Sequence, residues 1–154
     1  DADEIMEDRV VDEISFLIDQ DYYDAICFRV FDFWASKTHY RKDGGWDPWS
    51  KFSPFMVRYK PNINYFWPKR EIHCGRFPSP CEAFTPYYSD IRLKHYGWAN
   101  EGEHYKKFLF YQQKDLKLYK KILPHTQSIM TKPRPQDLEK WQEAKRLYFL
   151  KGNH

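Results

Sequence analysis

The sequence predicts an α/β fold: a short mixed sheet flanked by helices, with an incomplete Rossmann-like half. Three observations point there. Residues 7–20 and 101–123 repeat apolar side chains at three- and four-residue spacing, the helical period. Residues 24–34 and 90–98 alternate at the two-residue period of strands. Between them lie proline- and glycine-rich stretches too irregular for long regular elements. No βαβ unit with a phosphate-binding turn is present, so a complete doubly wound sheet is not expected.

In chain order, Val10, Val11, Ile14, Leu17 and Ile18 line one side of the first helix, with acids on the other. "DAICFRVFDFW" (24–34) is a strand with two largely apolar faces, the mark of a strand covered on both sides. Residues 36–54 form a loop, with Asp43-Gly44-Gly45 as a turn and Pro48 and Pro54 as breakers. "FMVRY" (55–59) and "INYFW" (63–67) are short strands, and residues 68–90, with four prolines, are mostly irregular. "DIRLKHYGW" (90–98) is a strand that puts Ile91, Leu93 and His95 on one face. The long helix 101–123 carries Tyr105, Leu109, Gln112, Leu116, Tyr119 and Leu123 on one stripe, with lysines opposite. A proline-stiffened linker (131–137) then leads to a last amphipathic helix with Leu138, Trp141, Ala144, Leu147 and Tyr148. The domain boundary falls near 123, with residues 124–154 forming the linker and terminal helix.

At 154 residues the chain fits one domain with a real core. Twelve Tyr, twelve Phe and six Trp exceed what a small core needs, so some rings are expected in a cleft or interface. No apolar run is long enough to cross a membrane and no secretory leader pattern is present. Three cysteines are too few for a disulfide framework, so reduced thiols and a cytoplasmic setting are expected. The chain opens on Asp rather than Met and is expected to be a fragment of a longer protein. Charge is segregated: residues 1–32 hold 11 acids and 2 bases, whereas residues 33–154 hold 11 acids and 23 bases. An acidic start suits a cation, and a basic remainder suits phosphate or an anionic surface; two solvated faces of opposite sign are the plainer alternative.

Several short motifs carry chemistry. Asp1 and Asp3, two apart in extended backbone, point the same way and can share one hard cation; otherwise they belong to an acidic helix-leading segment. His95, at a strand end, completes such a site if the carboxylates converge on it, and is otherwise a half-buried structural histidine. "WDPW" (46–49) sets two rings on a loop, fit either to stack on sugars or bases or to close over the core. His73, Cys74 and Cys81 lack the spacing of a zinc site, and neighbouring His73 and Cys74 point apart on a strand, which disfavours a nucleophile pair. The lysines of helix 101–123 form a solvated face, or approach an anionic membrane surface or an acidic acceptor.

Taken in order, "DADE" (1–4), "FDFWASKTHYRKDGGWDP" (31–48), "FMVRYKP" (55–61), "IH" (72–73), "IRLKHYGW" (91–98) and "HYKKFLFYQQKD" (104–115) resemble the second half of a family 2 glycosyltransferase of GT-A fold. The resemblance covers roughly residues 1–123. It implies that Asp1, Asp3 and His95 hold Mn²⁺ or Mg²⁺, which grips the diphosphate of a nucleotide-sugar donor. It also implies that loop 40–49 and segment 71–76 wall the cleft. Tyr40, Arg41, Trp46, Trp49, His73, Arg76 and Trp98 would then bind substrate. Relatives often carry Glu directly after "IH"; here that position is Cys74, which moves the catalytic base to Glu71 or Asp43. The implied activity is sugar transfer to a glycan or other hydroxyl acceptor, with the nucleotide-binding half supplied from outside these residues; peripheral membrane contact is an expectation from the lysine-rich helix 101–123 alone. That absent half would leave a sheet edge unpaired. A non-catalytic carbohydrate-binding or interaction module using Tyr40, Trp46 and Trp49 is the alternative. A nucleic-acid partner is not expected, because no RRM, KH or helix-turn-helix signature is present.

Overall fold

The computed structural model describes residues 2–69 and 75–144. It is mixed α/β, built on a curled four-stranded sheet. Strand β1 (Glu4–Met6) precedes helix α1 (Val10–Ile18), and β2 (Ala25–Asp32) follows. Next come β3 (His39–Arg41), β4 (Ser53–Val57) and the long β5 (Pro86–His95). Helix α2 (His104–Tyr119), short helix α3 (Pro124–Ser128) and β6 (Leu138–Lys140) complete the order.

The sheet runs β1-β5-β2-β4, with β2 and β5 parallel and both edge strands antiparallel to their neighbours. Central β2 is the strand whose sequence is largely apolar on both faces, whereas central β5 sets Ile91 and Leu93 on one face and Arg92 and Lys94 on the other. Helix α1 covers one face: Leu17, Ile26, Phe28 and Ile91 are buried together, with Met6, Val10 and Phe55 packed on them. Around the far ends of β2 and β5 a second layer forms. There Phe31, Phe33 and Tyr40 pack with Tyr96 and Trp141, while Trp34, Trp46, Trp98 and Ile129 pack with Phe108, Tyr111 and Leu138.

Glu7 fixes how α1 leaves the sheet. Its side chain is fully buried and takes bonds from the Arg92 backbone N (2.8 Å), Arg92 Nη2 (2.7 Å) and Arg9 Nε (2.7 Å). A buried carboxylate needs that number of donors to offset its lost hydration.

Several elements differ from the sequence expectations. The first helix is shorter, Val10–Ile18, and the acidic segment before it pairs as β1 rather than leading the helix. The stretch 63–67 forms no strand; it contributes one bridge, Phe66 to Ser79. Loop 36–54 contains strand β3 and two 3₁₀ turns. The long helix stops at Tyr119, where Lys120 turns left-handed (φ 59°) and Pro124 starts a new helix. Asp115 Oδ2 caps this corner by accepting from Leu123 N at 2.9 Å.

The expected terminal helix is not helical at its start. Residues 138–140 are β6, paired antiparallel to β3 with His39 opposite Lys140. Leu138 and Trp141 fit a helical stripe by spacing, but each buries its side chain against a different aromatic cluster, which an extended chain allows and one helix face does not. Residues beyond 144, including Leu147 and Tyr148, lie outside the described residues. None of the described helices is long and apolar enough to cross a membrane.

Candidate functional site

The polar groups with the most unused chemistry gather where β1, β2 and β5 end together. Parallel pairing sets Asp32, the last residue of β2, beside His95, the last of β5. On the other side β1 pairs with β5 so that Glu4 faces His95, and Tyr96 N donates to Asp3 O at 2.8 Å. Strand order thus carries three residues far apart in sequence to one sheet end.

His95 sits between two carboxylates. Its Nδ1 lies 2.6 Å from Asp32 Oδ1, and its Nε2 lies 3.5 Å from Asp3 Oδ2. The first distance is a strong hydrogen bond; the second is too long for a good one. Burial disfavours the imidazolium, but the bond and charge of Asp32, then the charges of Asp3 and Glu4, outweigh it and raise the His95 pKa above its ordinary value. With Nδ1–H held by Asp32, Nε2 is the nitrogen left to act as a ligand, in the carboxylate–histidine arrangement that orients metal-binding imidazoles.

Gly97 makes room for this pair. A Cβ there would run into His95 Nε2 and stand 2.9 Å from Asp3 Oδ2, so no larger residue fits without moving them. Two donors about 2.1 Å from one hard cation lie roughly 3–3.5 Å apart, so the spacing of Asp3 and His95 suits Mn²⁺ or Mg²⁺. Among the described residues no three His, Cys, Asp or Glu side chains close on one point. Asp32 is engaged with Nδ1, which leaves Asp3 and His95 as an open two-donor face; Asp1 lies outside the described residues.

This face borders a cleft of about 500 Å³ lined by Asp3, His95, Trp98, Lys106, Lys107, Phe110 and Tyr111. Helix α2 forms its far wall. Lys107 donates to Gly97 O and lies 4.7 Å over the Trp98 ring, while Lys106 pairs with Glu103 at 3.0 Å and is largely exposed. The cleft therefore combines a carboxylate–imidazole face, two lysines and flat rings. That combination suits a metal-bridged diphosphate carrying a planar or ring-shaped group.

The other expected site residues lie elsewhere. Tyr40, Arg41, Trp46 and Trp98 are buried, at 3, 1, 3 and 6% exposure, so they pack the interior more than they offer a surface. Arg41 donates to Asp43 Oδ1 (2.5 Å) and Oδ2 (3.0 Å) and to Ser128 O (2.9 Å), and its guanidinium lies 4.4 Å over Trp34. Trp46 Nε1 donates to Ser128 Oγ at 2.9 Å. Asp43 is thereby committed to Arg41. Trp98 still presents an edge to the cleft.

Trp49 is the open ring of the loop, 56% exposed, braced edge-on by Phe31 at 5.6 Å. Arg29 holds it by donating to Trp49 O (2.6 Å). Arg76 forms two bonds to Glu4 (2.6 and 2.8 Å) and covers Phe55. Burial raises the Glu4 pKa, but the Arg76 bonds outweigh it and hold the group below its ordinary value. Glu71 and His73 lie outside the described residues.

Asp32 and Gly97 were not singled out by sequence, and Lys107 only as one of the lysines of the long helix. The available signal was Asp32 at the end of an apolar strand, where a lone carboxylate has no structural motive. No known family, no curated protein and no solved structure matches this chain.

Proposed function

We propose that this chain supplies the metal- and acceptor-side part of a metal-dependent glycosyltransferase, moving a sugar from a nucleotide-sugar donor to a hydroxyl acceptor. One observation carries the reading: Asp3 and His95, oriented by Asp32, face a cleft that also holds Lys106 and Lys107. A divalent cation held by Asp3 and His95 would neutralise charge that builds on a leaving diphosphate. The rest of the work belongs to the chain. Asp32 holds the proton on His95 Nδ1 and keeps Nε2 free. Lys106 and Lys107 place positive charge beside the phosphates, and Phe110 and Tyr111 give the donor flat surfaces to lie against. Since Asp43 is bound by Arg41, Glu71 is the carboxylate proposed as base for the acceptor hydroxyl. The GT-A relationship is part of this proposal.

The test is Mn²⁺ binding, followed by manganese EPR, together with sugar transfer from a panel of nucleotide sugars by the protein that carries this chain. Chelation is expected to stop transfer and added Mn²⁺ to restore it, while Asp3→Ala and His95→Ala each abolish Mn²⁺ binding. Transfer that survives chelation, or Asp3→Ala turning over at the original rate, refutes the reading.

A further inference from the structure

Helix α2 packs by a narrow strip only. His104 and Asp115 are buried, Phe108 and Tyr111 half-buried, and these four face inward. At 100° per residue, Tyr105, Leu109, Leu116 and Tyr119 fall on a single outward stripe. They are 58, 43, 46 and 46% exposed. Beside the stripe lies an arc of lysines, including Lys106, Lys114 and Lys117, with exposed Phe110 among them. The one acid between residues 104 and 121 is Asp115, which is 1% exposed. Apart from Glu103, which pairs with Lys106 at the N-terminal end, the outward surface of α2, about 24 Å long, is thus apolar and cationic.

We propose that this surface docks on an anionic lipid bilayer. Charge complementarity selects that occupant: a stripe of apolar side chains bordered by lysines matches hydrocarbon beneath negative headgroups. Lysine stems lie along the apolar surface while their ammonium groups reach the phosphates. Tyrosines at both ends of the stripe, Tyr105 and Tyr119, suit the headgroup level, where a ring with one polar end is favoured. Lys106 and Phe110 also line the Asp3–His95 cleft, so docking places the cleft mouth beside the bilayer. On the transferase reading, an acceptor carried by a lipid is then within reach.

The experiment is co-sedimentation of the full protein with phosphatidylcholine vesicles and with vesicles containing added phosphatidylglycerol. Two double variants accompany it, Leu109→Ser/Leu116→Ser and Lys114→Glu/Lys117→Glu. All four residues are outside the cleft, and unchanged circular dichroism and melting temperature exclude misfolding. The expected result is binding to anionic vesicles only, weakened by salt and lowered at least about tenfold by either variant. No binding by the native chain, or equal binding to neutral vesicles, overturns the proposal. So does full retention by the leucine variant alongside loss in the lysine variant, which indicates a general polyanion patch. Vesicle binding needs neither metal nor donor, so its failure is separable from failure of the transferase reading.

Discussion

Arg41 and His95 stand at two ends of the same aromatic layer, and each has a carboxylate partner. Arg41 is 1% exposed, and its guanidinium is filled by Asp43, two backbone carbonyls and the faces of Trp34 and Trp46. His95 has one nitrogen filled by Asp32, and the other faces Asp3 across 3.5 Å at the edge of a cleft. The resemblance implied a ligand-binding role at both places, substrate for Arg41 and a metal for His95. Saturation separates them: a charge whose donors are all used in a dry corner stabilises the fold, whereas one with an unused ligand atom at an opening is able to bind something else.

The sharpest way to break the contrast is Arg41→Ala. Removing the guanidinium takes a donor from Asp43 and from two carbonyls beside Trp34 and Trp46, and is expected to cost about 3–5 kcal/mol of stability. Urea denaturation measures it; a loss under about 1 kcal/mol means that the corner is not the anchor described here.

Asp32→Asn probes the other end. An amide no longer fixes the Nδ1–H tautomer with a charge, so Mn²⁺ affinity is expected to fall about 10–100-fold while the fold persists. Isothermal titration checks this, with the ¹⁵N shifts of the His95 ring reporting the tautomer. Unchanged affinity with an unchanged ring would separate Asp32 from the site.

A smaller effect is expected where the chain returns across the aromatic layer as β6 and Trp141. Its carboxylates tie it down: Glu139 accepts from Lys42 at 2.8 Å, and Glu143 accepts from Lys94 and Trp141. Bonds from Lys42, then Tyr40, lower the Glu139 pKa. Burial raises that of Glu143, but its bonds from Lys94 and Trp141 outweigh burial and lower it. A folded pKa below the unfolded one means stabilisation that is present above the unfolded value near 4.5 and lost as pH falls through the folded value. Trp141 emission is therefore expected to shift to the red on acidification below about pH 4.5, before the Trp34–Trp46–Trp98 cluster opens. Simultaneous loss of both would show one cooperative unit. The smallest change is Lys120→Gly: relief of the left-handed backbone at φ 59° is expected to add up to about 1 kcal/mol, read as a raised melting temperature.

Periodicity made α1, β2, β5 and α2 legible as elements, but not which helix face is buried: Tyr105, Leu109, Leu116 and Tyr119 of the α2 stripe are exposed while His104 and Asp115 are enclosed, and of the α1 stripe Val11 and Ile18 are exposed. It misplaced 138–141, where Leu138 and Trp141 serve different clusters. It also could not separate Trp46 from Trp49, three residues apart on one loop, one sealed and one open. Nothing local distinguishes them; Ser128 and Arg41 do, the first of them far along the chain.

By itself the sequence determined the elements that depend on local pattern: two helices, the two central strands, and an acidic start followed by a basic remainder. It also supplied Asp3 and His95 as candidates, from carboxylates two apart and a histidine at a strand end, with structural alternatives left open for both. Tertiary structure alone decided which charged and aromatic residues are enclosed and which remain open. Asp32 meets His95 only because β2 and β5 pair in parallel, and Asp3 arrives only because β1 adds to the β5 edge. Burial and strand pairing are sums over residues distant in sequence, so no local spacing encodes them.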